Sequence, residues 1–272
     1  MKKLGIMFVP FVGIILLVLI VLAFLRQEST PAEPAVPTLR VWADGALRLV
    51  LESPELEHEQ GLLGRFERRT GIRVRVTYGD LARWQTDPEA LRDTDMVLTA
   101  NEAWLAYLDS AGLASAQTPF ARHVPVILMH ESYEMESAAV ARLQDADVRL
   151  AIANPAATDL GRWTVRLLTD ESFTADDLRQ HARYTSDSVE AVARAIQQNR
   201  ADAGVIWRDA AIRFALRTKH APISDIETVG PGMYAVQLLG AQQGEAASQL
   251  ARFLPGRASV DLLQAYGFGL WD

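Results

Sequence analysis

Residues 95–113, "DMVLTANEAWLAYLDSAGL", decide the fold. "DMVLTA", 95–100, is a short apolar run of the kind a buried strand shows. Asn101 belongs to the preferred helix caps. Trp104, Leu105 and Leu108 then recur at helical spacing, and Gly112 stands where a helix stops. Strand, small polar loop, capped helix: this is one unit of an α/β protein.

The unit recurs on both sides. Upstream, Leu39-Arg40-Val41-Trp42 runs into Ala43-Asp44-Gly45-Ala46 and helical residues. Leu62, Leu63 and Phe66 form a stripe ending at Thr70-Gly71, and "IRVRVTY", 72–78, alternates as a strand does. Downstream, "VPVILMH" (124–130), "VRLAIA" (148–153) and "AGVIW" (203–207) read as strands, as do residues 234–239. Helical stripes carry Leu160, Trp163, Leu167 and Leu168, then Val189, Val192, Ala195 and Ile196. Two more stripes close the chain, Leu250/Phe253/Leu254 and Val260/Leu263/Tyr266, the second ended by Gly267. No internal repeat is visible. The alternation predicts an α/β fold with a largely parallel sheet.

Such sheets bind ligands beyond the carboxyl ends of their strands. Five loops lie there: 43–46, 79–81, 99–101, 154–160 and the residues after Trp207. Several open onto helix N-termini, whose unpaired N–H groups suit an anion.

Ahead of the globular part, Leu4 to Leu25 is 22 residues without a charge, preceded by Lys2 and Lys3. As a helix at about 1.5 Å per residue it spans roughly a bilayer core. The flanking lysines place the N-terminus in the cytoplasm and the remainder outside. Residues 1–26 are therefore read as a membrane anchor or signal segment, with an uncleaved anchor favoured by length and by the missing Ala-x-Ala site. Residues 27–38 are a linker in which Pro31, Pro34 and Pro37 recur every third residue, as in polyproline II. The chain has no cysteine, which excludes a lipoprotein anchor and disulfides. Its formal charge is −7. Lys2, Lys3 and Arg26 outnumber Glu28 and Glu33 up to Thr38, so the remainder carries −8. A nucleic-acid partner is excluded on that ground.

In order along the chain, "LRVWADGAL", "FERRTGIRV", "DMVLTANEAWLAYLDSAGL", "FARHVPVILM", "VRLAIANPAATDLGRW", "SVEAVARAIQQNRADAGVIWRDAA" and "LLQAYGF" resemble the molybdate-binding proteins of ABC transporters, two-lobed type II solute-binding proteins. The resemblance spans nearly all of residues 39–268. It implies two lobes, each a mixed sheet flanked by helices, joined by two crossing strands, with an N-terminal transmembrane helix added here. Lobe 1 would comprise 39–119 plus 230–272, and lobe 2 would comprise 120–229. Together with the charge-free segment Leu4–Leu25, it further implies an extracytoplasmic, single-pass receptor at the cell membrane, expected to be monomeric. It would bind a small solute (an oxyanion or other small anion or zwitterion) and deliver it to an ABC permease, with no cofactor.

Carried over position by position, the ligand contacts fall on Asp44, Gly45 and Ala46, on Gly79 and Asp80, on Thr99 and Ala100, and on Leu160, Val189 and Trp207. Three positions depart from the family. The hydroxyl expected at Ala46 is absent, as is the serine-rich loop expected at 79–81. Trp207 stands where the family has a tyrosine, and an indole N–H donates but cannot accept. An alternative follows from these departures: a sensory or scaffolding ectodomain with a degenerate cleft.

Asp44 and Asp80 carry three readings. Each can cap a helix N-terminus, occupy the anion site with the protein's own charge, or hold a cationic group of another solute. Arg83, Arg162 and Arg208 lie near the same loops, where most arginines are solvated. Trp42 and Trp207 suit core and cleft equally, whereas Trp163 suits the core. The five histidines show no metal-ligand spacing, and His123 and His130 are read on one strand facing opposite sides. The chain contains no nucleophile elbow, phosphate loop or dinucleotide fingerprint, so it is not read as an enzyme.

Overall fold

The computed structural model describes residues 36–53, 61–79, 93–134, 140–170, 172–223 and 230–271. The anchor segment, most of the linker and Asp80 lie outside the described residues. Among the described residues no helix is long and apolar enough to cross a membrane.

Lobe 1 is built on β1 (Thr38–Asp44), β2 (Arg73–Gly79), β3 (Met96–Thr99), β4 (Ala114–Arg122) and β10 (Gly232–Leu238), in the order β2-β1-β3-β10-β4. β1 pairs in parallel with β2 and β3, and β10 runs antiparallel to β3 and β4. The period-two alternation of strands sorts the apolar side chains onto two faces. Leu39, Val41, Met96 and Leu98 enter one core with Phe66 and Leu263. That core is covered by α1 (Arg48–Glu52), α2 (Leu62–Thr70), α8 (Gly244–Phe253) and α9 (Arg257–Ala265). Trp42, Val97 and Val236 enter the other, against Trp104 and Leu108 of α3 (Glu102–Ser110). Complete burial of a side chain such as Phe66 contributes about 1.5–3 kcal/mol.

Lobe 2 contains β5 (Pro125–His130), β6 (Ala151–Ala153), β7 (Tyr184–Ser186), β8 (Ala203–Trp207) and β9 (Thr218–Pro222). β5 lies antiparallel between β8 and β9, and β6 pairs in parallel with β7. A parallel bridge from Leu150 to Ala203 joins β6 to β8. One core, including Ile127, Ile152, Val192, Ile196 and Val205, binds this sheet to its helices. These are α4 (Asp159–Leu168), α5 (Ala175–His181), α6 (Val189–Gln197) and α7 (Arg208–Arg213).

The two lobes repeat one plan that the sequence hides. Each has three parallel strands in the order second-first-third, then one antiparallel strand, then a strand parallel to the first three. Each also carries the same tie at the amino ends of its strands. In lobe 1 the Asp95 carboxylate, just before β3, accepts the backbone N–H of Arg40 at 2.9 Å, and the Arg40 guanidinium lies 3.7 Å away. In lobe 2 Asp202, just before β8, accepts the Arg149 N–H at 2.9 Å and its Nε at 3.0 Å. The expected largely parallel sheet is thus two mixed sheets, because the antiparallel fourth position of each is filled by a strand next to a crossing.

The first crossing, at residues 123–124, is tightly packed. Arg122 and Gly269 exchange two backbone hydrogen bonds at 2.9 Å, and Arg208 N–H donates to Val124 O at 2.7 Å. Gly267 ends α9 at φ +91°, and a Cβ there would lie 2.7 Å from the backbone nitrogen of Asp209, so only glycine fits.

Candidate functional site

The strand ends that face the crossings enclose a cavity of about 350 Å³ between the lobes. Lobe 1 contributes Asp44, Gly45, Ala46, Gly79 and Ala100, and lobe 2 contributes Leu160, Val189 and Trp207. Eight of the ten positions expected to touch solute are thereby brought together. Thr99 sits behind the wall at 1% exposure, and Asp80 lies outside the described residues.

Each wall follows from local sequence. α4 is capped by Thr158, whose side chain accepts from Gly161 N–H, and α6 by Ser188, which accepts from Ala191 N–H. Both caps serve the third helical residue. The N–H groups of Leu160 and Val189, in the first turns, have no partner within their helices and point the helix dipoles' positive ends at the cavity.

Asp44 does not cap the short 3₁₀ turn Gly45–Leu47 that follows it. β1 and β3 are adjacent and parallel, so the carboxylate at the end of β1 reaches the loop after β3 instead. Its Oδ2 accepts the backbone N–H of Ala100 at 2.8 Å and the Thr99 hydroxyl at 2.9 Å. The expectation that a capping role would explain Asp44 is therefore corrected. Burial between the lobes pushes its carboxyl up to about 6. The two hydrogen bonds and nearby His123 pull the other way, and Asp159 adds to the rise.

Five acidic residues, Asp44, Asp159, Asp187, Glu190 and Asp209, line the cavity, with Arg213 as the arginine among the described lining residues. Arg213 is shared between Glu190 at 3.3 Å and Asp209 at 3.4 Å. Asp159 pairs with Arg162, and Asp187 accepts from Asn154 Nδ2 at 2.7 Å. His123 lies on the link before β5, not on the strand, and stacks on Trp207 with ring centroids 4.9 Å apart. Its Nδ1 is 3.4 Å from Asp209 Oδ1, and neither atom makes a hydrogen bond among the described residues.

Trp207 is at once core and wall: it is 5% exposed, belongs to the lobe 2 core and lines the cavity. Trp42 belongs to the core and packs under Gly79, where a Cβ would meet its ring at 2.4 Å. Trp163 packs against the lobe 2 core, edge-on to Trp207. Arg208 is not solvated as expected. Its Nε and Nη2 donate to Gly267 O and Phe268 O, each at 3.0 Å, clasping lobe 2 to the C-terminal part of lobe 1. Arg83 lies outside the described residues.

Sequence reading missed His123, Asp187, Glu190, Asp209 and Arg213 as cavity residues. Asp187 and Glu190 follow a three-residue strand too short to show a pattern. Asp209 and Arg213 lie in α7, directly after Trp207, where position was signalled but identity was not. Among the described residues no group of three His, Asp or Glu side chains could hold a metal ion.

A family model for bacterial extracellular solute-binding proteins matches residues 60–269. No curated protein gives a significant match. Among solved structures, Peb3 from Campylobacter jejuni is similar at TM-score 0.67 and 18% identity, over 86% of this chain and 100% of that one. The periplasmic molybdate-binding protein of Azotobacter vinelandii aligns at TM-score 0.64 and 20% identity, over 86% and 100%. Iron-bound HitA from Pseudomonas aeruginosa aligns at TM-score 0.64 and 15% identity, over 84% of each chain. At these identities the likeness is one of fold.

Proposed function

The chain belongs to the bacterial extracellular solute-binding proteins, and from that premise we propose that it is a membrane-tethered receptor that captures a small solute between its lobes and delivers it to an ABC permease. Leu4–Leu25 would anchor it and residues 27–38 would hold the folded part off the bilayer. The lobes would close about the two crossings as a monomer.

The observation that carries this reading is the cavity itself. It is lined from both lobes, at the carboxyl ends of their strands, where open α/β sheets place ligands. Its size suits a small solute. In this reading Gly45, Ala46 and Gly79 bring backbone close to the solute, and the N–H groups of Leu160 and Val189 donate to it.

The test is a melting screen of the full chain in detergent, read by its tryptophans, against oxyanions, organic acids, amino acids and amines. A solute at 100 times its dissociation constant adds about 2.7 kcal/mol of stability. A rise with one class supports the receptor. No response to any class contradicts it and favours a sensory or scaffolding ectodomain, the reading to which an Asp44 already bonded to Ala100 lends weight.

A further inference from the structure

We propose that the group recognised in the cleft is a positively charged nitrogen, an ammonium or guanidinium, held by Asp44 from lobe 1 and Asp209 from lobe 2, and that free oxyanions are excluded. This names the solute class of the receptor proposed above and rests on that reading.

The cavity's charge comes first. Its lining acids outnumber its lining arginine five to one among the described residues. Three of them have partners that account for part of their charge: Asp159 has Arg162, and Glu190 and Asp209 divide Arg213. Among the described residues Asp187 has only the neutral amide of Asn154. Asp44 has no cation within ion-pair distance among the described residues, and its two hydrogen bonds both go to Oδ2. Among the described residues its Oδ1 is therefore uncommitted, on a residue that lines the cavity.

A second, independent observation concerns buried atoms. Asp209 is 5% exposed and His123 is 7% exposed, and both line the cavity. Asp209 Oδ1 and His123 Nδ1 nonetheless make no hydrogen bond among the described residues, standing 3.4 Å apart. Buried polar atoms are nearly always satisfied, so each such atom in a cavity wall asks for a partner. A nitrogen cation carries several N–H donors and no acceptor. It can satisfy Asp44 Oδ1 and Asp209 Oδ1 together and neutralise charge from both lobes, which would favour closure.

An oxyanion meets the reverse. The Ala100 N–H that would receive it is already taken by Asp44 Oδ2. Two further donors, the N–H groups of Leu160 and Val189, sit beside Asp159, Asp187 and Glu190. Any anion there would gain neutral dipoles and face fixed like charges.

The test is calorimetric titration of the full chain in detergent with five probes: spermidine, L-arginine, molybdate, sulfate and citrate. We expect saturable binding of at least one nitrogen cation, weakened tenfold or more in Asp44→Asn and in Asp209→Asn, and none with molybdate, sulfate or citrate. The melting temperature of each variant establishes that it folds, and the two variants check each other. Binding of molybdate, sulfate or citrate overturns the charge assignment and leaves the receptor reading standing. Cation binding that both variants leave unchanged overturns it equally. No binding of either cation overturns it as well. Failure of the receptor reading itself would be seen separately, as no response to any class in the wider melting screen.

Discussion

Asp44 Oδ2 lies 2.8 Å from the backbone nitrogen of Ala100, across the gap between two parallel strands of lobe 1. Resemblance to molybdate-binding receptors assigned the loop at Ala100 to the solute. In this protein a side chain of the same lobe occupies it. The hydroxyl of Thr99 is committed to the same oxygen at 2.9 Å. One residue thus removes two donors from an oxyanion site and adds a negative charge beside it.

That charge has a cost in stability with a definite sign. The Asp44 carboxyl rises from 3.8 to about 6 on folding, chiefly because it is buried. A raised folded value means that the unfolded chain ionises first, so stability falls as pH rises from about 4 to about 6. The cost above that window is at most about 3 kcal/mol, and cleft water reduces it. Asp44→Asn keeps both accepted hydrogen bonds and removes the charge. Above pH 7 it is expected to melt higher than the parent, by about 2–4 °C per kcal/mol recovered. Below pH 4 the two melting curves should coincide. Equal melting temperatures at pH 8 would contradict the assignment.

Removing the carboxylate should also open the anion route. Asp44→Ser frees Ala100 N–H and abolishes a like charge that, at about 5 Å and an effective dielectric near 20, opposes an anion by about 3 kcal/mol per unit pair. Sulfate or molybdate, which the parent is not expected to bind, should then bind the variant measurably, a gain on the order of 100-fold. Titration calorimetry reads this directly. An unchanged affinity would mean that Asp44 is not the barrier.

The crossing depends on Gly267. Its φ of +91° is disfavoured for any side chain, and a Cβ would press on the backbone of Asp209. Gly267→Ala is expected to destabilise by about 1–3 kcal/mol from backbone strain alone, with further loss if the clasp of Arg208 on Gly267 O and Phe268 O is disturbed. Urea denaturation checks the figure. A neutral effect would show that the C-terminal segment is free to move away from α7.

The repeated Arg–Asp tie makes a prediction for each lobe. Burial pushes the Asp202 carboxyl up, but the guanidinium and N–H of Arg149 outweigh it and the net displacement is downward. A depressed folded value contributes stability that is present above the unfolded value and is lost as pH falls through the folded one. Asp202→Ala is expected to cost about 2–3 kcal/mol at pH 7, from hydrogen bonds to a charged group, and to lessen the parent's loss of stability in acid. Asp95→Ala should cost at least as much, since it strands both Arg40 N–H and Gln243 N–H. Denaturation midpoints at pH 7 and pH 3 test both.

What was legible in the sequence follows from where burial lies. "AGVIW" reads as a strand because all five residues are buried, and it is β8 with the same bounds. "IRVRVTY" alternates because one face of β2 is covered. β4 ("ASAQTPFAR") and β9 ("TKHAP") lie at sheet edges, carry polar residues and a proline, and show no apolar run. β7 has only three residues. The five loops were placed by position, but the bond from Asp44 to Ala100 spans 56 residues and that from Arg208 to Phe268 spans 60. No local pattern carries such contacts. The internal repeat escaped notice because it survives as strand order and two Arg–Asp pairs rather than as similar sequence.

A solute held between the lobes should change how far apart they lie. The chain has no cysteine, so single cysteines at Tyr107 (50% exposed, lobe 1) and Leu216 (76% exposed, lobe 2) can carry spin labels without interference. Pulsed electron resonance then reports the distance between lobes in the full chain. Addition of a solute that raises the melting temperature is expected to shift the distribution to a single, narrower population, and Asp44→Asn is expected to move the required concentration. A stabilising solute that leaves the distribution unchanged would contradict the claim.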